Sequence, residues 1–403
     1  MRMEMINVIE AERIIQSETI NFGVEEVFYE HALGRVLAEH LYADRDLPPF
    51  NRATVDGIAI DFNAYRDGLH SFRIKAIQAA GETPIAISRI DECIEIMTGA
   101  ALDESVNTVV RYEDLLVANE VAGIRITGVK NGQNIHFKGK DKQKGQILAE
   151  ANQIITPSMI GVAASVGKTK LLVKRNPRIV IISTGDEMVS AEDVPTDFQL
   201  RRSNGVTIKS VLEKYKINAD LLHLNDDFTL IKDELTRCLE EYDVLLMSGG
   251  VSMGKFDYVP QVLDELGVGK LFHKVKQRPG KPFWFGKSRN QKLVFAFPGN
   301  PVSVFMCLHR YFIPWLEASL GLKPFSQQYA ILENDIYFQF PLQFFAQVKL
   351  RLNDRGMLMA KYVESNGSGD FSNLISTEGF MELALEKNEF KKGEVHKVWT
   401  YNL

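Results

Sequence analysis

The spacing of apolar and polar residues divides the chain into stretches of different character. Residues 8–17 put Val8, Ala11, Ile14 and Ile15 on one face, the 3.6-residue period of an amphipathic helix. Short extended pieces follow at 24–29 and 36–38. The stretch 44–60, DRDLPPFNRATVDGIAI, stiffens at Pro48-Pro49, stays polar over 51–56 and enters a strand at 58–60. From there to about residue 146 the apolar runs are short and separated by turn residues, at 72–77, 94–97, 108–112 and 123–129. That is the pattern of a small mixed β domain. Helical spacing returns at 156–166, with Met159, Val162, Ala163 and Val166 aligned. This helix is expected to pair with the first one, so that the β-rich stretch is an insertion between two halves of one domain.

From residue 178 strand and helix alternate. Strands are predicted at 178–183, 219–224, 244–247 and 293–297, and helices at 205–215 and 230–241. Such alternation implies a parallel sheet with helices on both faces. Asn300 is expected to cap a long apolar helix whose first residue is Pro301, and Pro314 to kink it. Beyond residue 324 only strand patterns remain, at 329–332, 345–352, 358–363, 380–385 and 395–400, as in a small β-barrel or sandwich. The fold class is therefore α/β plus β in several domains. The expected boundaries are 1–45 with 147–177 for a discontinuous N-terminal domain, then 46–146, 178–325 and 326–403.

Composition narrows the class without naming a chemistry. The chain has 403 residues, 45% hydrophobic and 25% charged, with a net charge of −5, so nothing draws it as a whole to nucleic acid or anionic membrane. Cys93, Cys238 and Cys307 are too far apart for a CxxC metal site and odd in number for a disulfide framework, which points to a reducing compartment. No apolar run approaches the roughly 18 residues of a membrane span. A cytoplasmic protein is expected.

Candidate chemistry lies where the α/β strands end. The turns read Ser183-Thr184-Gly185-Asp186-Glu187, then Asn225-Asp226-Asp227, then Ser248-Gly249-Gly250 with Ser252 and Asp257 one loop later. One acid after a strand is usually a helix cap. Several such turns converge on one edge of a doubly wound sheet, where these sheets bind ligands. Lys274, Arg278 and Lys281 bring cations to the same edge, and Pro298-Gly299-Asn300-Pro301 leads into a helix N-terminus. Carboxylates and anion-binding groups in one cleft are reconciled by Mg²⁺, held by the acids while the cations hold phosphate. The residues thus point to a Mg²⁺-assisted site for a phosphorylated small molecule. P-loop, zincin and serine-hydrolase signatures are missing from the sequence.

The chain also resembles the molybdopterin molybdenumtransferase family. The matching stretches, in family order, are PPFNRATVDGIAI, IMTGA, GQNIHFKGKD, STGDEMV, RRSNG, LLMSGGVSMGKFDYV, KQRPGKPFWFGK, FPGNPVSV and NGSGDFSNL. The resemblance implies a four-domain, elongated homodimer whose third domain binds molybdopterin, and an active site shared between subunits. Glu187, Asp226 and Asp257 would be the acids of the cleft and the Mg²⁺ ligands. Asp56, Thr98 and Asp141 would come from the other subunit. Lys274, Arg278, Lys281 and Ser368 would bind substrate together with Ser248, Gly249, Gly250, Ser252, Pro298, Gly299, Asn300 and Pro301.

The reaction implied is insertion of molybdate into adenylylated molybdopterin with release of AMP, downstream of a molybdopterin adenylyltransferase. Two stretches depart from the family pattern. His136 and Phe137 stand where arginines are common, and Gln347 stands near another frequent arginine, with Lys349 the nearest cation. The rival readings are adenylyl transfer to molybdopterin, and a scaffold or cofactor carrier of the same fold.

Overall fold

The computed structural model describes residues 5–251, 258–323 and 327–401. The chain forms two compact units. One holds Glu39–Ala151 with Pro157–Thr169, and the other holds Met1–Ala38, Asn152–Thr156 and Lys170–Leu403.

The smaller unit is built on a six-stranded mixed sheet. Its order is Thr108–Arg111, Gly57–Ile60, Glu92–Ile96, Ser71–Gln78, Val121–Ile124 and Leu115–Ala118. Gly57–Ile60 is buried along its whole length, and the period of two sends Ile58 and Ile60 into one core and Ala59 into another. The strand expected at 123–129 lies earlier, at Val121–Ile124, because Asn119 (φ 51°) and Glu120 (φ 61°) form a two-residue hairpin turn. That turn pairs Ala118 with Val121 and makes Leu115–Ala118 an unforeseen strand.

In the larger unit Ile179–Thr184 pairs in parallel with Asp220–Leu224 and with Val244–Ser248, and the latter in parallel with Leu293–Phe297. The sheet does not stay parallel as expected. Trp284–Lys287 adds antiparallel to Leu293–Phe297, and Gly269–His273 adds antiparallel to that strand. Alternate residues of the central strands fill two separate cores. Ile181, Leu246 and Phe295 face the layer of Asn204–Glu213 and Pro301–Cys307, while Ile182 and Met247 face Phe228–Glu241 and Val259–Glu265.

Helix Val8–Ser17 has its predicted bounds, and Asn7 accepts the Glu10 N–H at 2.8 Å as its N-cap. Its buried face, Val8, Ala11 and Ile15, joins the core of Ile313 and Trp315. The expected pairing with the later helix, Pro157–Ser165, is thus replaced: that helix belongs to the other unit. At the C-terminus, Gln343–Leu352, Leu358–Tyr362, Gln328–Leu332, Val395–Thr400 and Gly379–Leu383 pair in sequence and close on themselves as a five-stranded barrel.

Two expectations for the 301–319 helix change. Pro314 is met by a π-helical turn, Leu308–Phe312, whose wider register accommodates the missing N–H. Asn300 occupies the N-cap position without a side-chain cap; its Nδ2 donates instead to Ser368 Oγ at 2.8 Å.

Candidate functional site

The parallel strands deliver their turns to one cleft of about 540 Å³. Glu187 and Asp226 line it, as do Ser248, Gly249, Gly250 and the Pro298–Pro301 turn. Predicted site residues from all these strand ends thus share one cleft. Asp257 and Ser252 lie outside the described residues. Among the described residues no group of three or more His, Cys, Asp or Glu is gathered as a metal centre, so Glu187 and Asp226 stand in the cleft as a pair of acids.

Local chemistry explains the shape of each turn. Gly249 and Gly250 have φ of +95° and +67°, and a Cβ on Gly250 would lie 2.8 Å from both Thr184 Oγ1 and Val259 Cγ2. Only glycine lets the third strand turn this tightly against the first. At the second strand end the polar residues divide the work. Asp227 caps the helix by accepting the Leu230 N–H at 2.9 Å, Asp186 accepts the Asp226 N–H at 3.0 Å, and Asp226 itself lines the cleft.

Polar residues beyond the predicted site residues organise this wall. Asn204, buried at the start of Asn204–Glu213, donates Nδ2 to Ser248 Oγ (2.7 Å) and to Gly299 O (2.8 Å), fastening two turns to one helix. Thr184 carries a buried Oγ1 with no hydrogen-bond partner among the described residues. Ser183 Oγ meets His223 Nδ1 at 3.0 Å. Burial lowers the His223 pKa and Arg202 adds to this, while the contact with Ser183 and the charges of Asp186 and Glu187 oppose it.

A second compartment of about 360 Å³ adjoins the first, sharing Pro282, Pro298 and Asn300 with it. Arg278, Lys281 and Ser368 line it, and no Asp or Glu does so among the described residues. Strand Gln277–Arg278 pairs in parallel with the barrel strand Gln343–Leu352, which sets Arg278 beside the barrel with its guanidinium 4.8 Å from the centre of the Phe340 ring. Gln277, fully buried, braces the turn: Nε2 donates to Gly280 O at 3.0 Å and Oε1 accepts from Tyr311. Gln347 also lines this compartment; it is 5% exposed and its Oε1 has no hydrogen-bond partner among the described residues. Of the predicted cations, Lys274 is not among the described residues lining either compartment.

The other unit holds the remaining predicted residues. Thr98 donates its Oγ1–H (2.7 Å) and N–H (2.6 Å) to Asp56 Oδ1, and these bonds lower the carboxyl pKa in that order. Asp141 accepts from His136 Nε2 at 2.9 Å, while His136 Nδ1 faces Arg52 Nη2 at 3.3 Å. Asp56 pairs with Thr98 and Asp141 with His136, two local pairs within that unit.

Residues 6–167 match the family model described as the MoeA N-terminal region (domain I and II), and residues 180–318 that of a probable molybdopterin binding domain. A molybdopterin molybdenumtransferase of Synechocystis sp. is 38% identical over 393 residues, covering 97% of this chain and 98% of that protein. One of Staphylococcus epidermidis is 29% identical, covering 85% of this chain and 82% of its own. The crystal structure of the molybdopterin biosynthesis moeA protein from Pyrococcus horikosii superposes with a TM-score of 0.84 at 27% identity, over 98% of this chain and 99% of that one. With matches of this extent across both units, the chain belongs to the molybdopterin molybdenumtransferase family.

Proposed function

We propose that this protein inserts molybdate into adenylylated molybdopterin, releasing AMP, with Mg²⁺ required. The observation that carries the reading is the placement of acids in only one of two joined compartments, among the described residues. Glu187 and Asp226 line the first, together with Arg201 and Arg202, whereas Arg278 and Lys281 line a second with no acid among its described residues. A substrate that must meet both a metal ion and a tetrahedral oxyanion needs this division, since carboxylates in the oxyanion pocket would repel it.

The donor set of the cleft suits Mg²⁺, which commonly takes one or two carboxylates and completes its shell with water and phosphate oxygens. Glu187 and Asp226 would hold it. Bound there, Mg²⁺ supplies neutralisation of the pyrophosphate charge as the link breaks. The turn N–H groups after Val244–Ser248 would bind phosphate, and Asn204 keeps that turn and Gly299 in register. Arg278 and Lys281 hold the oxyanion, and the neutral Gln347 beside them leaves its capture to those two cations.

Asp56, Thr98 and Asp141 complete the site from the partner subunit of a homodimer. The chain would comprise four domains, with 1–45 and 147–177 joined through the antiparallel pair Val24–Phe28 and Lys170–Lys174 rather than through their helices. The substrate comes from a molybdopterin adenylyltransferase, and the setting is the cytoplasm, in keeping with three buried free cysteines.

The test supplies adenylylated molybdopterin, with and without molybdate and Mg²⁺, and measures AMP release together with active cofactor by reconstitution of a molybdenum-free apoenzyme. AMP and cofactor should appear together only when molybdate and Mg²⁺ are both present. Consumption of ATP with free molybdopterin, and no reaction of the adenylylated form, would assign adenylyl transfer instead.

A further inference from the structure

The turn that carries Arg278 and Lys281 has two faces. Arg278 and Lys281 are exposed and line the second compartment, whereas Gln277 and Gly280 beside them are buried. No Asp or Glu lines that compartment among the described residues, so no acid on its wall fixes the two cations. Arg278 lies against the Phe340 ring. Lys281 takes its place from the backbone of the turn, which Val275 N–H closes by donating to Lys281 O at 2.9 Å. Between these points the turn leans on its buried side. A Cβ at Gly280 (φ +87°) would lie 2.7 Å from Cys307 Sγ and 2.9 Å from both Gln277 Nε2 and Met306 Cε. The backbone there rests directly on helix Pro301–Cys307 and on the Gln277 amide.

The orientation of that amide follows from its partners. Gly280 O can only accept, so the end of Gln277 that meets it at 3.0 Å is the Nε2 donor. Oε1 then faces Tyr311, whose hydroxyl donates to it. Burial drives the Tyr311 pKa well above its ordinary value, so this donor keeps its proton at pH 7. Tyr311 belongs to the π-helical turn Leu308–Phe312, and its ring centre lies 5.3 Å from that of Phe283. Cys307 and Tyr311, the neighbours of the amide, share a largely apolar core with Val275 and Phe283. A buried amide in such a core is costly unless its bonds are made, and once they are made it holds a single geometry.

A rigid path thus runs from the π-helical turn through Tyr311 and Gln277 to Gly280, the residue next to Lys281 and two from Arg278. We propose that Gln277 and Tyr311 are positioning residues for the oxyanion: they hold the 278–281 turn so that Arg278 and Lys281 converge on one ligand, and thereby set its affinity. Neither side chain touches the oxyanion itself. The proposal rests on the reading that these two cations hold the oxyanion.

Gln277→Met combined with Tyr311→Phe replaces both ends of the bond by apolar groups of nearly the same shape, an exchange that can leave stability close to wild type. The experiment measures, on the full chain, the urea midpoint and the calorimetric affinity for molybdate. It also measures KM and kcat with molybdate and adenylylated molybdopterin varied in turn. The urea midpoint should stay near wild type. Molybdate affinity should fall, and its KM rise, by at least about tenfold, the scale of one weakened charge-assisted hydrogen bond. The value of kcat at saturating molybdate and the KM for the adenylylated substrate should be unchanged, because only binding of the oxyanion is weakened. Tyr311→Phe alone keeps the ring and should shift the molybdate KM the same way by a smaller factor; it carries the test should the double variant not fold. Lys281→Ala is the reference. Molybdate binding lost in Lys281→Ala but unchanged in the folded double variant overturns the positioning role and leaves the cation reading standing. Unchanged molybdate binding in Lys281→Ala overturns both. A fall in kcat and in both affinities together with the urea midpoint assigns the pair to the fold alone and likewise overturns the proposal.

Discussion

Thr184 presents the sharpest contrast between stability and function among single residues. Its Oγ1 is buried without a hydrogen-bond partner among the described residues, whereas the neighbouring Ser248 hydroxyl is satisfied by Asn204. An unmade buried hydroxyl costs about 1–3 kcal/mol, so a hydroxyl kept there serves something other than the fold. Thr184→Val keeps the branched shape and removes the orphaned group. Stability to denaturant should hold or rise by about 1 kcal/mol, while turnover of the proposed substrate, adenylylated molybdopterin, falls. Normal turnover in Thr184→Val would make the hydroxyl incidental.

At this scale the acids and the diglycine were legible, because a residue type placed just after a strand pattern carries its own meaning. Asn204 was not. Its two bonds reach Ser248 and Gly299, 44 and 95 residues further along the chain, and no local pattern encodes them.

Among elements, the π-helical turn Leu308–Phe312 carries the interaction that holds three parts of the larger unit together. Arg310, 2% exposed, approaches Glu12 of the first helix at 2.8 Å and Glu382 of the barrel at 3.2 Å. Its guanidinium lies 4.2 Å from the Trp399 ring centre, and Trp399 Nε1 donates to the same Glu382 at 2.7 Å. Arg310 Nε and Nη1 make no aligned hydrogen bond among the described residues, so the pair with Glu382 is held chiefly by charge. Removing one partner of such a buried pair costs about 3–5 kcal/mol, because the other charge stays buried. Glu382→Ala should therefore destabilise the protein by about 3 kcal/mol, and Glu12→Ala, whose side chain is 38% exposed, by less than about 1 kcal/mol. Denaturant melts monitored by tryptophan fluorescence give both values; equal costs would reject the buried-pair account.

Element legibility followed length and periodicity. Phe228–Glu241 and the barrel strands carry a full period and were foreseen near their observed bounds. Trp284–Lys287 is four residues with a glycine inside, and Leu115–Ala118 depends on a hairpin turn built from Asn119-Glu120 without glycine, so neither pattern stood out.

For the molecule as a whole, composition and the change from short strands to strand–helix alternation were enough to read several domains. They could not say which core each helix would join, since the apolar faces of Val8–Ser17 and 156–166 suit many partners. The proposed dimer makes the strongest whole-molecule prediction. Asp56 lies in the smaller unit and Asp226 in the larger, and the proposal has each site take Asp56 from one subunit and Asp226 from the other. A twofold dimer then carries two equivalent sites. Asp56→Ala and Asp226→Ala should each be inactive as homodimers. In a mixed dimer one site receives both lesions and the other receives neither. Random exchange at equal amounts makes half the dimers mixed, and half of their sites intact, so activity should return to about a quarter of wild type. If both residues served a site within one subunit, every site would carry a lesion and mixing would restore nothing. Mass spectrometry of differently tagged chains establishes that exchange has occurred, and no recovery after proven exchange would reject the shared site.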